Sequence, residues 1–180
     1  MLSPEFADFA ALGRFSIRKI EDGVKVADDP GGEIRFYIRE REPDVFVLSR
    51  AERSEDERVI MWSPDPADLE RYLTMVVGGS ARQWLDRRRL GLPVEVQQIA
   101  DRFTIEQLEP GVVALRTRQG ALLPSRFPRS GVAAPIIRFA QIAALDLAAM
   151  REAYLDPEGK PLSHIWTQPL GGTGIQGHQL

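Results

Sequence analysis

The sequence predicts an α+β protein, with antiparallel sheets from an N-terminal meander and a later hairpin, packed with a few helices. Three observations carry this expectation. Across residues 15–62, apolar and polar residues alternate at a period of two, interrupted by short turn signals. Residues 103–118 repeat the pattern around Glu109-Pro110-Gly111. Other segments open on capping residues and carry apolar positions three and four apart.

The elements follow in order. Ser3-Pro4 starts a helix, with a capping hydroxyl and then proline at the first helical position. Phe6, Phe9 and Leu12 fall on one face, and Gly13 suits its end. Phe15–Ile20 and Val24–Ala27 flank Glu21-Asp22-Gly23, a hairpin signal, and Asp28 to Gly32 is a second turn. Ile34, Phe36 and Ile38 alternate with Arg35, Tyr37 and Arg39, which reads as a half-buried strand. Val45–Ser49 and Val59–Trp62 repeat this around a charged loop, giving about five strands. Asp65-Pro66 opens a helix with the stripe Leu69, Tyr72, Leu73 and Val76. Gly78-Gly79 is expected to break or kink it, and Ser80 to cap a continuation toward Gly91-Leu92-Pro93. Phe103–Leu108 and Val112–Arg118 form the later hairpin. Residues 121–135, with prolines at 124, 128 and 135, read as irregular, and Ile136–Phe139 as a strand. Asp146 caps a last helix through Tyr154 and Leu155, stopped by Asp156-Pro157-Glu158-Gly159.

Composition narrows the function. A chain of 180 residues fits one α+β domain, placed at residues 1–168, with a Gly-rich tail at 169–180. A hydrophobic fraction of 43% argues against disorder. The absence of cysteine excludes disulfides, thiol catalysis and Cys-type metal sites. A net charge of -3 gives no bulk attraction to nucleic acid. The N-terminal stretch lacks a basic n-region and carries Glu5 and Asp8, unlike a signal peptide, and no run approaches a membrane span. A cytoplasmic protein with neither nucleic-acid nor membrane partners is expected.

The motifs that suggest chemistry mostly fail on context. GTGIQG at residues 172–177 matches the dinucleotide pattern, but only His178, Gln179 and Leu180 follow, so no helix can open beneath a pyrophosphate. His164 and His178 are the only histidines, too few for a metal site, and His164 more readily packs or caps. Asp28-Asp29 and Glu55-Asp56-Glu57 sit in turn-like segments and read as solvated surface. Arg87-Arg88-Arg89, one turn after Trp84, suits a solvated helix end better than a nucleic-acid contact. No catalytic set and no cofactor motif emerges. The segment Pro124–Gly131 instead places Arg126 and Arg129 around Phe127 between prolines. That is either a restricted binding loop or a loop whose Phe127 enters the core.

Three stretches together resemble a known family. They are Ala67-Asp68-Leu69-Glu70-Arg71-Tyr72-Leu73 followed by Gly78, then Arg88-Arg89-Leu90-Gly91-Leu92-Pro93, then Asp146-Leu147 through Tyr154 to Leu162. In order and spacing they are similar to the immunity protein 61, or TNT antitoxin, family, from the first helix to about residue 165. The resemblance implies a non-enzymatic immunity protein. It would bind a cognate secreted toxin domain of NAD glycohydrolase type and block its NAD site, with no cofactor of its own. Arg126, Phe127 and Arg129 are the first candidates for the contact face. Glu52 with Glu55, Asp56 and Glu57 is the second, since a site that accepts phosphates offers cationic or amide donors. The rival expectation is a small hydrolase or ligand-binding enzyme using carboxylates dispersed along the chain.

Overall fold

A computed structural model describes residues 2–91, 99, 102–129 and 134–160. The glycine-rich string, the tail at 169–180, His164, His178, Ser130, Gly131 and Leu92-Pro93 lie outside the described residues.

The chain runs α1 (Pro4–Leu12), β1 (Phe15–Ile20), β2 (Gly23–Asp28), β3 (Ile34–Glu42), β4 (Val45–Glu52), β5 (Arg58–Ser63) and α2 (Pro66–Trp84). It continues through β6 (Phe103–Glu109), β7 (Val112–Thr117), β8 (Leu122–Pro128), α3 (Ala134–Ile142) and α4 (Leu147–Leu155). All eight strands join one antiparallel sheet in the order β1-β2-β3-β4-β5-β8-β7-β6. The predicted meander and the predicted hairpin are therefore halves of one sheet. Their seam is a single register pair, Trp62 with Arg126. Alternation works as read: Val26, Phe36, Ile38, Leu48 and Met61 are buried toward the helices.

Helix α2 organises the helical side. Asp65 caps it, its carboxylate accepting from the Ala67 amide at 2.9 Å, and Leu69, Leu73 and Val77 are fully buried. Two buried carboxylates on its first turns tie it to the rest of the fold. Asp68 accepts from Ser63 Oγ of β5 at 3.0 Å and from Ser125 Oγ of β8 at 2.5 Å, clamping the sheet seam from inside. It also pairs with Arg71, whose Nε donates to the Leu145 carbonyl. Glu70 accepts from the Ser3 amide and hydroxyl, both at 2.7 Å, and from Arg151 of α4 at 3.0 Å.

The last turn of α2 holds Arg82, which is 0% exposed. Its guanidinium donates to five carbonyls: those of Arg88, Ala153, Tyr154, Asp156 and Pro157, at 2.5–3.3 Å. Ala153 and Tyr154 belong to the final turn of α4, whose carbonyls have no intrahelical donor. The cation thus sits at the negative end of the α4 dipole. Burial lowers its pKa, and the charge of Arg87 adds to this, against a raising contribution from Asp156.

The structure corrects five local expectations. The Gly78-Gly79 pair does not interrupt α2, which is one helix of 19 residues. Gly78 is a contact surface: a Cβ there would lie 2.3 Å from Cγ of the Tyr154 ring. That ring packs where a side chain would stand, offsetting the helix cost of glycine. Nor does the helix reach toward residue 91; it ends at Trp84. Residues 122–128 form β8 rather than an irregular loop. Their prolines are tolerated because Pro128 ends the strand and Pro124 falls in the register shift between the Ala114 and Arg116 pairs. Residues 136–139 are helical within α3: Ile136, Ile137 and Phe139 are buried while Arg138 is half-buried, and four residues are too few to separate a strand period from a helical one. Leu12 is 44% exposed, while Ala10 takes the buried place beside Phe6 and Phe9.

Two stability predictions follow from this packing. Gly78→Ala should destabilise by about 2 kcal/mol, since the ring must shift, whereas Gly79→Ala should stabilise by up to about 1 kcal/mol, since nothing lies within 4 Å of its added Cβ. Opposite shifts of the urea midpoint at constant m-value are the expected result. Arg82→Met should cost about 3 kcal/mol by leaving buried carbonyls without donors. Arg82→Lys should recover only part, because a three-donor ammonium cannot span five carbonyls. Urea melts of the two variants check this order.

Candidate functional site

The helices pack on one face of the sheet: α1 against β1, α2 against β4 and β5, and α3 against β7. Strand residues on the opposite face stay outside the core cluster. Strand register organises this outward face into rows. One row runs Arg18, Lys25, Tyr37, Ser49, Val59. The next runs Arg39, Val47, Trp62, Arg126, Ala114, Glu106 and crosses the seam. Register partners hold their Cβ atoms about 5 Å apart, so each row is a continuous strip of side chains.

The chemistry of these rows is uneven. Arg39 is bracketed by Asp22, at 2.5 Å from its Nε, and by Glu57. Burial opposes its charge, but the hydrogen bonds and charges of Glu57 and Asp22 outweigh this and raise its pKa. Glu57 also accepts from Ser49 Oγ at 2.5 Å, so the β4–β5 loop folds its last carboxylate onto the sheet face. Arg116 pairs with Glu106. Arg126 instead donates to the carbonyls of Leu123 and Ser125, and among the described residues it meets no carboxylate. Trp62 and Val47 lie beside it half-buried, and Val59, one row away, is 44% exposed.

The six residues singled out from the sequence are therefore distributed as follows. Arg126 and Glu57, drawn from rival candidate faces, meet the same sheet face: Arg126 stands in the row of Arg39, and Glu57 reaches Arg39 and Ser49 from the β4–β5 loop. Arg129 is exposed just past β8 and donates to Gln107. Glu55 pairs with Arg58 at 2.7 Å, and Asp56 is exposed between Glu55 and Glu57. Phe127 is the exception. It is 1% exposed, faces the helices and packs on Phe139 with ring centroids 5.3 Å apart. Strand alternation sends Arg126 outward and Phe127 inward, and exposing that ring would forfeit about 2 kcal/mol of burial, so it is a core residue and not a surface anchor.

Trp62 was missed as a site residue. Its signal lay in the strand itself: Met61 points inward, so Trp62 points outward. The bulge that pairs Leu48 with Met61 but Ser49 with Val59 obscured that phase.

Two other candidates resolve into structure. Arg87-Arg88-Arg89 follows α2, where Arg88 gives its carbonyl to Arg82 and Arg89 donates to Gln83. Trp84, 53% exposed, is covered on one side by Arg14, whose Cζ lies 3.5 Å from the ring centroid. The most buried carboxylates, Asp68 and Glu70, are occupied by the ties described above. Among the described residues, no three acidic or histidine side chains converge as a metal site, and no helix is long and apolar enough to cross a membrane.

Comparison with known proteins gives this architecture its context. The chain is 22% identical over 176 residues to the "Immunity factor for TNT" of Mycobacterium tuberculosis (strain ATCC 25618 / H37Rv), covering 94% of this chain and 97% of that one. It is equally similar to the "Immunity factor for TNT homolog" of Mycobacterium bovis (strain BCG / Pasteur 1173P2). Its fold matches the solved structure of Rv3902c from M. tuberculosis with a TM-score of 0.73 at 20% sequence identity, over 89% of this chain and 92% of that one. The family model for immunity protein 61 matches residues 9–162, and on that match the chain belongs to the immunity protein 61 family.

Proposed function

We propose that this protein is a cytoplasmic antitoxin. In this reading it binds a cognate secreted toxin domain of NAD glycohydrolase type and blocks entry to its NAD site without performing chemistry itself. Membership of an immunity family over most of the chain is the observation that carries the reading. The names of the two mycobacterial relatives support a toxin protein as the partner. The arrangement is of the kind such a protein needs: a core closed on one side, and a rigid face on the other whose shape costs little to present on binding. Arg126 and Arg129, with Glu55, Asp56 and Glu57, remain the proposed contact residues; Phe127 is replaced by Trp62.

The test is a titration. A candidate toxin domain of NAD glycohydrolase type should lose NAD hydrolysis in proportion to added protein, with inhibition saturating near one equivalent. NAD turnover by this protein alone, or undiminished toxin activity at large excess, overturns the proposal.

A further inference from the structure

We propose that the cavity between α2, α3, α4 and the loop after α2 is a binding site for a phosphate monoester carried on a compact apolar body. The proposal stands apart from the antitoxin reading, because the cavity lies in the helical layer, away from the outward sheet face. Its volume of about 410 Å³ is within the range of small-ligand sites, which recur between packed helices.

One side of α2 supplies the floor. Val76, Gly79, Ser80 and Gln83 recur three and four positions apart, so they share a face of the helix. The two adjacent glycines divide their roles there. Gly78 receives the Tyr154 ring, whereas a Cβ at Gly79 would meet nothing within 4 Å. Packing therefore does not account for Gly79, which costs the helix about 1 kcal/mol against alanine. What it leaves is depth at the cavity floor. Tyr154 of α4 and Leu90 of the loop add apolar walls, and Arg89 and Arg138 add two guanidiniums. The loop is held by the Arg82 bond to the Arg88 carbonyl and by Gly159, where a Cβ would stand 2.6 Å from Leu90 Cδ2.

Charge selects the ligand. On the sheet face Arg39 and Arg116 are paired by Asp22, Glu57 and Glu106, but among the described residues no carboxylate lines this cavity. Arg89 gives one N–H to Gln83 Oε1 at 3.1 Å. Arg138 is half-buried and has no hydrogen bond or ion pair within the described residues. Burial pushes the phenols of Tyr72 and Tyr154 up, and the charge of Arg138 opposes this at both, joining Arg50 at Tyr72 and Arg82 at Tyr154. The Arg138 guanidinium thus acts among buried rings, where its attraction for an anion is stronger than in water. Two cations match the dianion of a phosphate monoester better than the single charge of a carboxylate. Guanidinium forks suit its oxygens, and Ser80 Oγ and the Gln83 amide supply neutral donors. Val76, Leu90 and Tyr154 offer apolar surface to the body of the ester.

The experiment titrates the full chain with phenyl phosphate and follows chemical shifts by NMR. Saturable binding with a Kd on the order of 1 mM is expected, with inorganic phosphate about tenfold weaker and phenol without saturation. Arg138→Gln should weaken binding by about tenfold or more, since a charge-assisted hydrogen bond is lost. Gly79→Met should fill the cavity and abolish binding without lowering the melting temperature, because a better helix former replaces glycine. Arg88→Gln, an exposed cation outside the cavity, should bind within about twofold of the wild type. No saturation of the wild type at about 10 mM phenyl phosphate overturns the site. So does wild-type binding by Gly79→Met, or a loss in Arg88→Gln as large as in Arg138→Gln, which marks diffuse charge. Benzoate binding as tightly as phenyl phosphate overturns the phosphate assignment.

Discussion

The buried guanidinium of Arg82 is the constraint on which the helical layer depends. A fully enclosed cation with no carboxylate in ion-pair contact among the described residues is costly to desolvate, and its shell of carbonyl acceptors makes it tolerable. The five carbonyls that surround it come from the end of α4, the turn beyond it and the loop after α2. Satisfying one side chain therefore fixes where three segments of backbone must be. The Tyr154 ring on Gly78 is set by the same docking, because α4 approaches α2 closely enough that no side chain fits between them. Burial accordingly drives the Tyr154 pKa upward, with Arg82 and Arg138 opposing it, so the ring stays neutral and acts as packing.

At the other end of α2, Asp68 and Glu70 extend this role to the sheet and to α1. Glu70 holds the α1 N-cap and Arg151 together. Asp68 is the more consequential for function. A seam of one register pair is a weak joint between two meanders, and hydroxyls from both sides of it converge on one carboxylate. The fold thus places its firmest polar clamp directly behind the stretch of sheet that is displayed outward. A binding protein gains from this: affinity lost to ordering is small when the displayed surface is already fixed.

The helices cover only one face of the antiparallel sheet. Antiparallel sheets can leave one face to solvent, and outward positions then escape the volume constraints of the core. Charges and aromatics can occupy them freely, and here they do, in rows fixed by strand register.

The sequence by itself determined most elements but not β8 or α3: the five-strand meander, the β6–β7 hairpin, and the starts of α1, α2 and α4 at Ser3, Asp65 and Asp146. Those features are local, set by period, turn residues and caps within a few positions of chain. It also carried the family resemblance on short strings such as Ala67–Leu73, which lie on the organising helix. Tertiary structure decided the rest. Whether Gly78-Gly79 breaks a helix depended on Tyr154, some 75 residues away, and whether residues 136–139 form strand or helix depended on what surrounds them. The proposed contact site was legible only in fragments. Arg126 was visible, but its neighbour Trp62 lies 64 positions earlier and joins it only because β8 pairs with β5 across the fold. The mixed-charge outward face is a product of register: side-by-side strands alone bring Arg39, Trp62, Arg126 and Glu106 into one row.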